Sequence, residues 1–124
     1  MPGVDVYNRE SVGLVDAVAD SIKDSVRHFG AAHFSVGELM LSEHDFSFKF
    51  HHTERYDELT NDLIVRIRLH AFEGRRSIVT DQLASDFAVY ISEDLRKFFP
   101  EREITVGVEL ILAEVMWGTA TTMD

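Results

Sequence analysis

The sequence predicts one α+β domain: two tandem β-α-β units whose four strands form a mixed sheet with two helices on one face. Three observations lead there. The chain has 124 residues, the size of a single domain. Apolar residues recur at every second position in some segments and every third or fourth in others, in the order strand, helix, strand, twice over. The halves also echo each other in residues. Asn8-Arg9-Glu10-Ser11 sits in the first half where Gly74-Arg75-Arg76-Ser77 sits in the second. Val36-Gly37-Glu38-Leu39-Met40-Leu41 matches Val106-Gly107-Val108-Glu109-Leu110-Ile111-Leu112, with one extra residue. Within the single domain 1–124, the first unit is assigned to residues 2–50 and the second to 62–118.

Val4-Asp5-Val6-Tyr7 alternates and predicts a short strand. Asn8 to Ser11 follows as a turn. Val12, Val15, Val18/Ala19, Ile22, Val26 and Phe29 recur at spacings of three and four, one face of an amphipathic helix. Ser11 is the expected N-cap and Gly30 the expected stop. Phe34 to Leu41 predicts the second strand. Residues 42–62 are polar, with Phe46, Phe48 and Phe50 alternating, and predict a loop carrying a short extra strand.

Leu63 to Leu69 alternates apolar residues with Arg66 and Arg68, a strand with one wet face. Glu73 to Ser77 is a turn. Leu83, Phe87, Tyr90/Ile91, Leu95 and Phe98 form the second helix stripe, with Ser77 as N-cap and Pro100 helping to end it. Ile104 to Leu112 is the last long strand. Each crossover is expected to be right-handed. With both helices on one face, the other face of the sheet needs cover, and another subunit supplies it most simply.

Composition excludes several functions. Lys and Arg total 12 against 22 Asp and Glu, a net charge of −10, so a nucleic acid or an anionic membrane is not an expected partner. Hydrophobic residues at 45% and charged residues at 27% exclude a disordered chain. No apolar run reaches the ~18 residues of a membrane span. Met1-Pro2-Gly3-Val4-Asp5 lacks a secretory n-region and h-region, so the expected location is the cytoplasm. The absence of cysteine removes disulfides, zinc-thiolate sites and cysteine nucleophiles, and fits a reducing compartment.

Pro2 is the first candidate for chemistry. Removal of Met1 before a small residue leaves a secondary amine at the N-terminus. Such an amine is a base when its neutral form is populated, and burial and nearby positive charge both favour that form. The plain alternative is that Met-Pro is merely a common start. Arg75 and Arg76 lie between a strand and a helix start, where guanidinium forks and the helix N-terminus both suit a carboxylate. The plain alternative there is a solvated turn. Arg9 is the corresponding residue of the first half. Arg66 and Arg68 are expected to be sheet-face or interface charges.

The histidines His28, His33, His44, His51, His52 and His70 show no ligand spacing, and the adjacent His51 and His52 point opposite ways on a strand. A metal site is therefore not expected. Glu38, Glu43, Glu109 and Glu114 near strand ends are acid/base candidates, each on its own an ordinary surface carboxylate. Trp117 is expected to pack. No glycine-rich phosphate loop or nucleophile elbow is present.

Pro2 directly after Met1, tandem β-α-β units and the Gly74-Arg75-x-Ser77 turn after the third strand together resemble the tautomerase superfamily. That superfamily includes 4-oxalocrotonate tautomerase, 5-carboxymethyl-2-hydroxymuconate isomerase, macrophage migration inhibitory factor and the chloroacrylic and malonate-semialdehyde enzymes. Val18 to Arg27 with His33-Phe34 beyond it, and Leu69-His70 leading to Glu73-Gly74-Arg75, look most like the cis-3-chloroacrylic acid dehalogenase branch. Trp117-Gly118 is similar to the end of several fused two-unit members. The likeness spans most of residues 2–118.

The resemblance implies a homotrimer that moves a proton in a small enol or dienol carboxylate, without a cofactor. Pro2 takes the role of general base and acid. Arg75 takes that of the carboxylate-binding arginine, with Arg76 as its near alternative. Arg9, Phe34, Phe50 and Trp117 are the further candidates for substrate contact. Three departures argue against dehalogenation: Ala71 and Phe72 replace a second arginine, Val26 replaces a histidine, and Arg76 is inserted in the turn. Two alternatives remain beside a tautomerase: a hydratase or dehalogenase type, and a non-catalytic ligand-binding or assembly protein on the same fold.

Overall fold

The computed structural model describes residues 2–9, 11–35, 40–52, 59–71, 74–113, 120 and 122. Its strands are β1 (Gly3–Asn8), β2 (Ser47–His52), β3 (Leu63–His70) and β4 (Val106–Ala113), in the sheet order β2-β1-β3-β4. β1 runs parallel to β2 and β3 parallel to β4, and the two pairs join antiparallel along β1 and β3. Helix α1 (Asp16–Phe34) connects β1 to β2. A single turn α2 (Arg75–Ile78) and helix α3 (Asp81–Leu95) connect β3 to β4. Each half is thus a strand, a crossover helix and a parallel strand, and the sheet is mixed.

Period-2 alternation decides which strand residues meet the helices. Leu63, Val65, Ile67 and Leu69 of β3 are at most 1% exposed, while Arg66 and Arg68 between them lie on the other face. Register carries the same inward row across β1 as Val4 and Val6 and across β2 as Phe48 and Phe50. Val18, Ile22, Val26 and Phe29 of α1 close over this row with Phe87, Ile91 and Leu95 of α3. The two helices meet through aromatic rings. Phe87 lies 4.4 Å from Phe29 and 5.8 Å from Phe34, centroid to centroid.

Several local expectations are corrected. Ser11 does not cap the first helix: α1 starts at Asp16 after Val15, which supplies no side-chain cap. Val12 is instead buried in the preceding loop, where Asn8 Nδ2 donates to its carbonyl at 2.7 Å. Gly30 does not end the helix, which runs on to Phe34. It marks a close crossing, since a Cβ at Gly30 would lie 2.5 Å from Phe46 Cζ. The partner strand of β1 is Ser47–His52, the alternating phenylalanine segment, rather than Phe34 to Leu41. Phe34 ends α1, Met40 and Leu41 are irregular, and residues 36–39 lie outside the described ones.

In the second half, Ser77 is inside α2 and donates to Gly74 O at 2.8 Å. The N-cap of α3 is Thr80, whose hydroxyl accepts from Leu83 N at 3.1 Å. α3 ends at Leu95, and Phe98 falls in the following 3-10 turn Arg96–Phe98. No helix of the described residues is long and apolar enough to cross a membrane.

Asp62 ties the entries of β3 and β4 to the exit of β1. Its carboxylate accepts from Thr105 N at 3.0 Å and Thr105 Oγ1 at 3.1 Å, and pairs with Arg9 Nη1 at 3.3 Å. The Thr105 backbone N–H is the main cause holding this carboxyl below the usual carboxylate range. A folded-state pKa below the unfolded one gives stability that is present above the unfolded value of about 3.9 and is lost as pH falls. Urea unfolding is therefore expected to separate Asp62→Asn from wild type at pH 6, and the gap between the two curves is expected to narrow as pH falls below the usual carboxylate range. Gly30→Ala is expected to destabilise by about 1–3 kcal/mol through overpacking. In a double-mutant cycle, Phe46→Leu should relieve part of that loss, and additive losses would show that the crossing is not tight.

Candidate functional site

The start of β1, the start of β2 and the end of β3 come together at one end of the sheet. Pro2 enters there because its carbonyl is already in the ladder: it accepts from Ser47 N at 3.1 Å and Ser47 Oγ at 3.4 Å. On its other side Gly3 pairs with Arg68, so the antiparallel register carries Pro2 alongside the last residues of β3. Pro2 itself is buried. While Met1 is attached, its nitrogen is a tertiary amide with no proton to exchange. Loss of Met1 converts it into a secondary amine at a strand end, in a partly dehydrated place.

Arg75 reaches back to the end of β3 from the turn at Gly74. Gly74 has φ 92°, a left-handed conformation that glycine adopts without a Cβ clash. It aims Arg75 inward, where the residue is 2% exposed. Arg75 Nε donates to Phe34 O at 3.2 Å and Nη1 to His70 O at 3.0 Å. One guanidinium thus ties the end of α1 to the end of β3, and burial lowers its pKa. Arg76, the next residue, is exposed and makes no hydrogen bond or ion pair among the described residues. The two neighbouring arginines therefore divide the work expected of either: Arg75 braces main chain and Arg76 faces solvent. The four residues of α2 are too few for the helix field expected to help bind an anion.

The sheet face away from the helices carries a polar band across all the strands. Asp5 is only 7% exposed and accepts from His51 Nε2 at 2.7 Å and Arg68 Nη2 at 2.8 Å. The His51 ring stacks on Tyr7 at 4.4 Å and 9°. Arg66 lies 5.4 Å from the Tyr7 ring centroid and donates through Nε to Glu109 Oε2 at 3.0 Å. That hydrogen bond is the main cause raising the Arg66 pKa. At the Pro2 end, the Arg68 guanidinium rests on Gly3: a Cβ there would sit 3.5 Å from Nη2 and 3.8 Å from Nε.

The other sequence candidates are dispersed. Arg9 lies beyond the far end of the six-residue β1, about 20 Å from Pro2, and bonds Asp62 and Leu59 O at 2.6 Å. Phe34 is 0% exposed and belongs to the core rather than to a pocket wall. Phe50 faces the helix layer, with Lys23 Nζ 5.7 Å from its ring centroid. Trp117, Glu38 and Glu114 lie outside the described residues. Glu43 pairs with His28 at 3.4 Å, and His33 Nδ1 contacts Phe29 O at 2.9 Å. Among the described residues, no three His, Asp or Glu side chains gather where they would hold a metal. Periodicity alone does not find the Asp5-His51-Arg68 cluster, although a charged residue between Val4 and Val6 is its one visible sign.

No family model matches the sequence, and no curated protein matches it. Solved structures do match the fold. The crystal structure of Leishmania major MIF2 is similar at a TM-score of 0.61 and 12% identity, covering 98% of this chain and 96% of that one. Malonate semialdehyde decarboxylase, described with decarboxylase and hydratase activities, is similar at a TM-score of 0.57 and 12% identity, over 96% and 91% of the two chains. A fused 4-OT described as a symmetric trimer is similar at 0.53 and 9% identity, over 90% and 85%. These are proteins of the tautomerase superfamily, and this chain has their fold.

Arg75→Met is expected to lower unfolding free energy by about 2–4 kcal/mol, because it leaves buried carbonyls without their charged donor. Arg76→Met is expected to stay within about 0.5 kcal/mol of wild type. Urea denaturation of both variants checks this division, and equal effects would refute it.

Proposed function

We propose that this chain is a tautomerase or isomerase in which the Pro2 amine, after loss of Met1, moves a proton within a small enol or dienol carboxylate. The observation that supports this reading most is the seating of Pro2: buried, tied by its carbonyl to Ser47, and placed beside the end of β3. The neutral amine takes the proton from the enol hydroxyl and returns a proton to the adjacent carbon. The product is the keto acid, and no atom is gained or lost. Arg76, without a partner among the described residues, offers its fork to the carboxylate, and Arg75 holds the turn that presents it. A preorganised cation near the forming oxyanion lowers the barrier because it need not reorient. No cofactor takes part, and the cysteine-free composition fits a cytoplasmic enzyme.

Self-association completes this reading. Among the described residues no second layer covers the sheet face that carries the polar band, and similar proteins include fused 4-OT structures described as trimers. A homotrimer covering this face is the proposed assembly. A second reading, a ligand-binding protein without catalysis, is favoured by one observation: Arg75 spends its guanidinium on Phe34 and His70 main chain.

Intact mass and ketonisation of phenylenolpyruvate separate these readings. The expected result is a chain lacking Met1 whose wild type ketonises the enol, with Pro2→Ala reducing kcat/KM by about 10²–10⁴-fold. Retained Met1, or a Pro2→Ala variant as active as wild type, ends the proline mechanism and leaves the binding protein.

A further inference from the structure

We propose that His70 is a positioning residue for the Pro2 amine: an imidazole nitrogen accepts the amine N–H and so turns the amine lone pair toward the ligand. This rests on the reading of Pro2 as the reacting end and names the group that orients it. The antiparallel register sets Gly3 opposite Arg68, so Pro2 falls opposite Leu69 and position 1 opposite His70. Opposed residues of such a ladder have Cα atoms about 4.5–5.5 Å apart. Once Met1 is gone, the Pro2 nitrogen ends the chain next to that position. Leu69 is 1% exposed and faces the helices, so alternation puts the His70 side chain on the other face. The nitrogen is a main-chain atom, within reach of either face.

The main chain of His70 is fixed from two sides. Its carbonyl accepts from Arg75 Nη1 at 3.0 Å. On β4 it pairs with Ala113, whose carbonyl accepts from Ala71 N at 3.0 Å. The ladder neighbours of Pro2 do not offer the same service. Arg68 carries donors alone. Ser47 Oγ donates to Pro2 O at 3.4 Å. Phe46 and Leu69 are apolar. A neutral imidazole has one acceptor nitrogen. A neutral secondary amine has one N–H and one lone pair. With that N–H held by His70, the lone pair is left for the enol hydroxyl. Proton uptake gives an ammonium with two N–H bonds. The one held by His70 stays, and the other proton goes to carbon as the C=C pair takes it and the C=O forms. Orientation of this kind acts on turnover more than on binding. His70 is already half-buried in the single chain. A second copy laid over this sheet face encloses imidazole and amine together, and their spacing is set by the β1–β3 ladder either way.

The test follows ketonisation of phenylenolpyruvate by wild type, His70→Phe, His70→Gln, His70→Ala and Pro2→Ala, with circular dichroism and sedimentation to check fold and assembly. His70→Phe keeps a planar ring without an acceptor and is expected to lower kcat about 10–100-fold with KM little changed. His70→Gln offers a carbonyl oxygen to the amine and should recover part of that loss. Imidazole added to His70→Ala should restore part of kcat and should do nothing for Pro2→Ala. If His70→Ala does not fold, the contrast between Phe and Gln decides. Equal losses in His70→Phe and His70→Gln, a change in KM alone, or no recovery with imidazole in a folded His70→Ala would overturn the inference. If Pro2→Ala is inactive while His70→Phe turns over as wild type, the proline reading stands and His70 falls. If Pro2→Ala is as active as wild type, both fall.

Discussion

The antiparallel pairing of β1 with β3 is the constraint on which the rest depends. Each β-α-β unit closes its own parallel pair, but only this central ladder joins the two sheets into one. Its register sets Val6 opposite Val65 and Gly3 opposite Arg68. The first match buries two β-branched side chains, both 0% exposed, under the helices. The second puts the Arg68 position one residue from Pro2. A slip of one residue would turn every inward side chain to the wet face, so the core enforces the register that also builds the site.

Arginine placement then distributes charge according to burial. Arg75, Arg66 and Arg9 each have their forks engaged, by carbonyls, by Glu109, and by Asp62 with Leu59 O respectively. Engagement lowers the electrostatic reach of these residues and raises their value as braces. Arg76 is exposed and makes no hydrogen bond or ion pair among the described residues. This matters in a chain of net charge −10, where a small anion is repelled in bulk and gains only where cations are local.

Much of the architecture was legible because periodicity reports burial directly. The alternation of Leu63 to Leu69 and the spacing of Phe87, Ile91 and Leu95 follow from which face is dry. The second strand was harder. Similarity between Val36-Gly37 and Val106-Gly107 drew the strand too early, whereas the true partner is the Phe48/Phe50 segment paired to Val4 and Val6. Local rules also misjudged Gly30, because a glycine that stops a helix and one that admits a crossing phenylalanine look alike in sequence. At the candidate site, Pro2 and the turn arginines were visible as residue types. Which arginine is buried was not, since that depends on Gly74 turning the chain so that Arg75 reaches Phe34 and His70. The Asp5-His51-Arg68 cluster needs three strands in register, which one sequence does not specify.

The internal repeat duplicates geometry without duplicating chemistry. β3 begins as β1 does, so the residue standing where Pro2 stands in the first unit is Asp62 in the second. Asp62 lies mid-chain, its amide nitrogen donating to Thr105 Oγ1 at 3.0 Å. No maturation step can turn that nitrogen into an amine. The turn arginines keep the pattern, Arg75 at the Pro2 end and Arg9 at the Asp62 end, yet Arg9 meets a carboxylate there and forms a clamp. On the proposed reading, the duplicated fold keeps one end for the Pro2 amine and one end for cohesion, so a proposed homotrimer would have as many amine-bearing ends as chains rather than twice that number.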